Sequence, residues 1–287
     1  MLGGREIRTK IMSTQNMKKI TQAMQLVAAS KMQKARLSME SARPYASYVS
    51  DIISRVRSTR EYKHPYFQIR NIKRVGIIVV STNRGLCGGL NTNLFRKVLQ
   101  VIMDFKSQKV EVDLCLIGLK AESYFKQLSG INIISVVNFH SNDEIHNKIS
   151  DVISVMLALF KDKTLDALKL FSNIFINTIN HRPSETQLLP IIYPKNHTLE
   201  LKKWDYIYES EALIVLNFLS VRYIESQTYC AVVENCACEQ AARMLAMKNA
   251  TDNASDVINK LNLDYNKGRQ ALITQELAEI VSGAASV

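Results

Sequence analysis

A glycine-rich loop, NRGLCGGLN at residues 83–91, is the strongest candidate in this sequence for a ligand-binding or catalytic site. It follows a short apolar run and precedes a helical pattern, which is where phosphate-binding loops lie. Its glycines fall at positions 85, 88 and 89, which matches neither G-x-G-x-x-G nor G-x-x-x-x-G-K-[ST]. No acidic residue ends the next predicted strand, where a ribose partner would lie. The spacing therefore favours a tight strand-to-helix turn over a nucleotide site.

Cysteines supply the other candidate chemistry. Cys87 lies in that loop, just before a predicted helix, where the pKa of a thiol falls and a nucleophile can form. It would need a histidine base, but the five histidines lie in linkers or polar stretches without a catalytic motif. Cys236 and Cys238 form C-x-C with no histidine nearby, unlike a zinc site. We interpret the five cysteines as packing thiols of a reducing compartment, and His181 as an exposed loop residue.

The elements that would position the loop alternate along the middle of the chain. Short apolar runs rich in β-branched residues predict buried strands, and helical patterns separate them. This alternation indicates βαβ units and a mostly parallel sheet. The predicted strands are residues 75–80, 112–117, 131–137, 168–176 and 187–192.

Both ends of the chain carry long helical patterns. Apolar residues recur at steps of three, four or seven from about Glu6 to Arg57, and again after Trp204. At about 1.5 Å per residue, such a helix is too long for one domain to cover, so each must pair with the other. Small residues in the middle of the second pattern permit a close helix–helix approach. The sequence predicts an antiparallel coiled coil of the two terminal helices plus a central Rossmann-like α/β domain. The predicted domains are residues 1–60, 61–204 and 205–287.

Charge divides the chain in the same way. The net charge is +11, and residues 1–60 hold 12 Lys and Arg against 3 Asp and Glu. Residues 205–287 hold 6 against 11. A basic first helix and an acidic last one attract each other, or bind two different partners. Nucleic acid is an alternative partner for the basic helix, but its charges are spread around the helix without a dense basic cluster.

Targeting and membrane signals are not expected. No apolar run approaches the ~20 residues of a transmembrane helix, and no apolar stretch near the start resembles a secretory signal. The basic start continues as one unbroken pattern for more than 40 residues, which favours a helix over a transit peptide.

Three separated motifs resemble the gamma subunit of F-type ATP synthases. The first comprises EIRTKI, ITQAM and VAASKM within residues 6–32, and the second is STNRGLCGGLN at 81–91. The third and most specific is VVENCACEQAARMLAMKNATDNA at 232–254, followed by residues 265–287. They appear in the family's order and cover essentially the whole chain.

The resemblance implies a rotary shaft with no catalytic, cofactor or metal site of its own. In this family the paired helices enter a hexamer of three alpha and three beta subunits. The globular domain lies on the membrane ring of c subunits beside epsilon, and proton flow turns the ring and the shaft. No nucleic acid and no direct small-molecule substrate are implied. The implied location is the cytoplasmic side of the bacterial inner (plasma) membrane, as a peripheral protein. The alternative function is a nucleotide-binding α/β enzyme with coiled-coil arms.

The resemblance also implies partner-binding residues. For the alpha and beta subunits these are Met24, Lys31, Arg243, Gln270, Thr274 and Glu276. For the c-ring and epsilon they are Tyr206, Tyr208 and Glu209. Simpler interpretations stay open, since Arg243 lies four residues from Glu239 and can pair within the helix. Lys31 can be a solvated side chain, and the tyrosines can pack within the domain.

This sequence departs from the family pattern at three places. Ala254-Ser255 stands where relatives often have two glycines, Asp264 where an apolar residue is usual, and Gly268 where alanine is usual. Glycine inside a helix costs roughly 0.5–1 kcal/mol relative to alanine, so this part of the shaft is expected to be less stiff than usual.

Overall fold

Two very long helices, α1 (Gly4–Thr59) and α5 (Ala212–Ala285), begin and end the chain. The computed structural model describes residues 4–59, 64–128, 130–139, 142–192 and 212–285. The elements between the helices are β1 (Arg74–Val80), α2 (Leu90–Ser107), β2 (Glu111–Ile117), α3 (Leu119–Phe125), β3 (Asn132–Val137), α4 (Asn142–Lys161), β4 (Ala167–Phe175) and β5 (His181–Leu189). A 3-10 turn, Pro65–Phe67, precedes β1. The predicted fold class, long terminal helices with a central α/β domain, is confirmed.

The chain forms two compact units. One comprises residues 1–30 and 243–287, and the other comprises residues 31–242. The predicted domain boundaries after residues 60 and 204 both lie outside the described residues, so that division stays a prediction.

A five-stranded sheet in the order β3-β2-β1-β4-β5 is the centre of residues 31–242. The first four strands are parallel, and β5 runs antiparallel to β4. Helices α2 and α3 cover one face of the sheet with side chains such as Leu94, Val98 and Phe125. The other face packs against α4 and against the parts of α1 and α5 that belong to this unit. Both faces are therefore covered, which is why the parallel strands are apolar along their length.

The prediction for the fifth strand was wrong in its bounds. The apolar run at 187–192 suggested a buried strand, but β5 runs from His181 to Leu189. Its first six residues, HRPSET, are polar because an edge strand of an antiparallel pair keeps one face and one edge in water. Pro183 is tolerated there because an edge strand has backbone groups without ladder partners. His181 is thus a half-buried strand residue rather than an exposed loop residue.

The smaller unit pairs the start of α1 with the end of α5. Thr21 Oγ1 and Thr251 Oγ1 lie 2.8 Å apart, which fixes the register of the antiparallel pair. The more buried positions alternate at steps of four and three on both helices, which is the heptad spacing of a left-handed coiled coil. They are Ile7, Ile11, Thr14, Lys18, Thr21, Gln25 and Ala28 on α1, and Met247, Thr251, Ala254, Ile258, Leu261, Tyr265 and Gly268 on α5.

Candidate functional site

The glycine-rich loop satisfies its own polar groups. Asn91 Nδ2 donates to Thr82 Oγ1 at 2.7 Å, and Thr82 Oγ1 donates to the Arg84 carbonyl at 2.8 Å. Gly88 has φ 59°, the left-handed conformation that glycine adopts without strain. The loop is closed on itself and begins α2, which agrees with the interpretation as a strand-to-helix turn.

The crevice at the carboxyl ends of β1 and β4 is the place where open α/β sheets usually bind ligands, because the strand order reverses there. In this chain α5 packs into it. Cys238 and Ala242 of α5 form one buried cluster with Cys87 and Leu90 of the glycine-rich loop. The chain's own side chains therefore occupy the space that a nucleotide takes in related folds.

Polar contacts fix α5 to the end of β4. Buried Asn173 donates through Nδ2 to Asn235 Oδ1 at 2.9 Å, and Cys238 Sγ donates to the Asn173 carbonyl at 3.6 Å. The Phe175 N–H donates to Glu234 Oε1 at 3.1 Å. Glu234 also pairs with Arg43 of α1, whose Nη2 lies 2.5 Å from Glu234 Oε1. Three elements thus meet at the carboxyl end of one strand.

The thiols have the properties of packing groups. Burial raises the pKa of Cys115 to about 12, and burial followed by the charge of Glu239 raises the pKa of Cys236 to about 12. Burial, with a smaller contribution from Glu234, also raises the pKa of Cys238. A thiol with a raised pKa is protonated at neutral pH and is a poor nucleophile or metal ligand. Among the residues that the structure describes, no group of His, Cys, Asp and Glu has a metal-binding arrangement.

Cys87 is buried and 3% exposed, packed against Leu90, Cys238 and Ala242. Its sulfur accepts a hydrogen bond from Asn91 Nδ2 at 3.5 Å. Its side chain therefore offers little surface to a substrate. The arrangement therefore stabilises the packing of the loop on α5 and does not present a nucleophile.

The residues predicted to bind the alpha and beta subunits lie on the two long helices. Met24 and Arg243 are half-buried, and Arg243 has an interaction partner within the chain. Lys31, Gln270, Thr274 and Glu276 are exposed. Thr274 Oγ1 donates to the Gln270 carbonyl at 2.9 Å, so these two residues lie on successive turns of one helix face. Tyr206, Tyr208 and Glu209 lie outside the described residues.

The end of α5 presents an apolar surface that the sequence patterns did not single out. Every described side chain from Arg269 to Ala284 is exposed. The heptad positions that pack on α1 would continue to 272, 275, 279 and 282, of which only Leu272 is apolar. Large apolar side chains are exposed at Leu272, Ile273, Leu277, Ile280 and Val281. Apart from Leu272, these residues do not occupy seam positions, and with about 3.6 residues per turn they lie mainly on the side of the helix that faces away from the seam. A comparison of the two spacings along the sequence could have shown this stripe.

The contact of Arg43 with Glu234 is a second feature that the sequence did not reveal. The two residues are 191 positions apart, and although Glu234 lies in the third motif at 232–254, nothing in that motif pairs it with Arg43. As for membrane association, none of the described helices combines the length and the apolar character needed to cross a bilayer.

Comparison with known proteins assigns the family. The family described as ATP synthase matches residues 3–287. An ATP synthase gamma chain of Francisella tularensis subsp. mediasiatica is 50% identical over 298 aligned positions, covering 100% of both chains. A gamma chain of Francisella tularensis subsp. tularensis matches to the same extent.

Solved structures agree in fold. The chain is similar to one in the central stalk and c-ring of the mitochondrial ATP synthase of Tetrahymena thermophila, with TM-score 0.62 and 25% identity. That match covers 80% of this chain and 99% of the other. A rotor chain of the Euglena gracilis mitochondrial ATP synthase gives TM-score 0.67 at 17% identity, covering 94% and 98%. With full-length relatives at 50% identity, this chain belongs to the ATP synthase gamma-chain family, and is a subunit of that complex rather than a catalyst on its own.

Proposed function

We propose that this chain is the central rotor shaft of an F-type ATP synthase. It couples proton-driven rotation of a membrane c-ring to ATP synthesis at a catalytic head of three alpha and three beta subunits. The observation that carries the proposal is the end of α5, where a helix leaves its coiled-coil partner and presents an apolar stripe in a new direction. Exposed apolar stripes of this kind need a partner, and a surrounding protein sleeve supplies one.

The contacts with the head are assigned to Met24, Lys31, Arg243, Gln270, Thr274 and Glu276. Four of these six side chains are exposed, and most are polar. Hydrogen bonds to charged groups are worth only about 1.5–3 kcal/mol net, so they can break and re-form as the shaft turns. Continuous apolar adhesion would instead hold the shaft at one angle.

The contacts with the c-ring and epsilon are assigned to Tyr206, Tyr208 and Glu209 by resemblance alone. We place the protein at the cytoplasmic side of a bacterial inner membrane, as a peripheral subunit that reaches the membrane through the c-ring. Support for a bacterial complex comes from the Francisella relatives, which match over their full length.

Substitution of the polar shaft residues tests the proposal. We expect Arg243→Ala and Gln270→Ala to leave assembly with alpha, beta and epsilon intact and to lower steady-state ATP turnover of the reconstituted complex. We expect an effect on turnover because the catalytic sites whose cooperation depends on the shaft exist only in the assembled head. Arg96→Ala and Gln108→Ala are matched controls on exposed residues of the α/β domain, and they should leave turnover unchanged.

Two results would contradict the proposal. Full turnover with both substitutions present would remove these residues from the coupling surface, and loss of assembly would assign them a structural role. Calorimetric titration of the purified chain with ATP distinguishes the rotor shaft from a nucleotide-binding enzyme. We expect no saturable binding, because α5 occupies the crevice where ligands usually bind. Saturable micromolar binding of ATP to the purified chain would favour that enzyme.

A further inference from the structure

The last residue of β4, Phe175, forms backbone hydrogen bonds to both long helices. The Phe175 N–H donates to Glu234 on α5, at 3.1 Å, and the Phe175 carbonyl accepts from Arg43 Nη2 on α1, at 3.4 Å. Arg43 and Glu234 also pair directly, so the three residues close a ring of polar contacts. We call this ring the Arg43–Glu234–Phe175 joint.

The joint is largely shielded from water on its acidic side. The Glu234 side chain is 13% exposed, whereas the Arg43 side chain is 46% exposed. A shielded carboxylate with two donors is held in one position, because breaking either bond leaves a charge without solvent. Two contacts of Asn173 also join β4 to α5: Asn173 Nδ2 donates to Asn235 Oδ1 at 2.9 Å, and Cys238 Sγ donates to the Asn173 carbonyl at 3.6 Å. Gln227 Nε2 of α5 donates to the Ala46 carbonyl of α1 at 3.2 Å, which joins the two helices to each other.

Apolar contacts also join these helices to the sheet. Val49 and Ile53 of α1, and Ile224 and Val232 of α5, belong to the core cluster that covers one sheet face. Apolar burial is strong but non-directional, so it resists separation better than it resists sliding or twisting. Hydrogen bonds and ion pairs fix distance and angle. The joint and the two contacts of Asn173 are directional, so they resist twisting between the sheet and the helices.

We propose that the Arg43–Glu234–Phe175 joint is a torsional lock that makes the sheet and the helix pair of residues 31–242 turn as one body. Arg43 and Glu234 are positioning residues in this role, since they act through the orientation of the shaft. The inference rests on the proposed function, because a torsional lock matters only in a chain that transmits torque. It adds to that function the site inside the chain where torque passes between the sheet and the helices.

Replacement of the ion pair by apolar side chains separates coupling from stability. Exchanging a shielded ion pair for apolar residues of similar size is often neutral for stability, but it removes the directional bonds. We expect the double variant Arg43→Met, Glu234→Met to assemble and to hydrolyse ATP at the normal rate. In reconstituted vesicles it should pump at least twofold fewer protons per ATP hydrolysed. The charge-swapped variant Arg43→Glu, Glu234→Arg should restore much of the ratio, because Phe175 can bond to either arrangement.

The matched control is the double variant Arg36→Met, Glu40→Met on the same helix. Arg36 Nε and Glu40 Oε1 form an exposed pair at 2.8 Å within one helix, so the pumping ratio should not change. Glu234→Gln, which keeps the shape and one acceptor, is measured in parallel and should give a partial loss.

The outcomes distinguish the joint from the function on which it rests. An unchanged ratio in the double methionine variant, with a normal wild-type complex, would overturn the joint alone. So would failure of both that variant and Glu234→Gln to assemble, since the pair would then be structural. A wild-type chain that supports no ATP-driven pumping with its partner subunits would overturn the proposed function, and the joint with it.

Discussion

The same heptad spacing serves two regions of α1 in different ways. In residues 31–59 the seam positions are mostly buried, with Met39, Ala46, Val49, Ile53 and Val56 between 0% and 6% exposed. In residues 4–30 the seam contains Thr14, Lys18, Thr21 and Gln25, all half-buried. Residues 31–59 pack on the sheet and on α5, whereas residues 4–30 pack on α5 within the smaller unit.

The difference shows that spacing fixes the geometry of a helix pair while composition sets its strength. Two helices alone cannot cover a wide apolar face, so an apolar seam there would stay partly in water. Polar seam residues weaken adhesion but keep the register specific. The contacts of the buried region, residues 31–59, are therefore expected to stay formed, whereas those of the polar region, residues 4–30, can break and re-form more easily.

Replacing one isoleucine in each region by alanine tests this difference, and it should give the largest change in the free energy of unfolding. Ile53 is fully buried, so Ile53→Ala should lower the free energy of unfolding by about 2–5 kcal/mol through lost transfer energy and a cavity. Ile11 occupies a half-buried seam position, so Ile11→Ala should cost roughly 1 kcal/mol. Urea unfolding of the purified chain measures both, and equal costs would contradict the distinction.

Overpacking of the crevice should have the next largest effect. Ala242 is 6% exposed against Cys87 and Leu90, so Ala242→Leu should cost about 1–3 kcal/mol of unfolding free energy. Ala271 on the same helix is exposed, and Ala271→Leu should change stability by less than about 0.5 kcal/mol. If thermal unfolding of the two variants were indistinguishable, the crevice would not be filled as described.

Gly268 is a position in the smaller unit where a substitution should raise stability rather than lower it. A methyl group added at this helical position would meet no atom within 4 Å, so nothing opposes it. Gly268→Ala should therefore stabilise the helix by about 0.5–1 kcal/mol, mainly by removing backbone freedom from the unfolded chain. Circular dichroism during thermal unfolding measures the gain, and a loss of stability would show that the shaft needs glycine here.

The pH dependence of stability in the larger unit should be the smallest of these effects. Burial, followed by the charge of Lys161, lowers the pKa of His64 below its usual 6.5. The folded chain therefore binds fewer protons than the unfolded chain, so this residue's contribution is fully present above pH 6.5 and is lost below it. His64→Gln should flatten the fall in urea midpoint between pH 7 and pH 5. Burial lowers the pKa of His181 as well, so some dependence should remain.

The sequence predicted those features that repeat along the chain. The run at 75–80 predicted β1, which spans Arg74–Val80, because a strand buried on both faces is apolar at every position. It predicted β5 poorly, because Arg182 and Glu185 are polar for their exposed edge and leave no such run. Small residues such as Ala237 and Ala242 were predicted to bring two helices together. Ala237 packs on Met39 of α1, but Ala242 packs on the glycine-rich loop.

The joint could not be predicted, because its geometry depends on tertiary contacts over 191 positions. Arg43 and Glu234 are ordinary surface residue types in helical patterns. The third member contributes only backbone atoms, so the type of residue 175 gives no signal.

The exposed end of α5, residues 269–284, also affects how the shaft enters its binding partner. Most of the stability of a protein helix comes from tertiary packing, and every described side chain of this segment is exposed. We expect these turns to fray in the free chain, and their amides to exchange with solvent faster than those in the packed part of α5. Assembly must therefore supply the ordering entropy of these turns, so the affinity of this end is lower than its apolar area implies. A shaft end that folds as it is enclosed binds reversibly, and is loosely held until the surrounding subunits are complete.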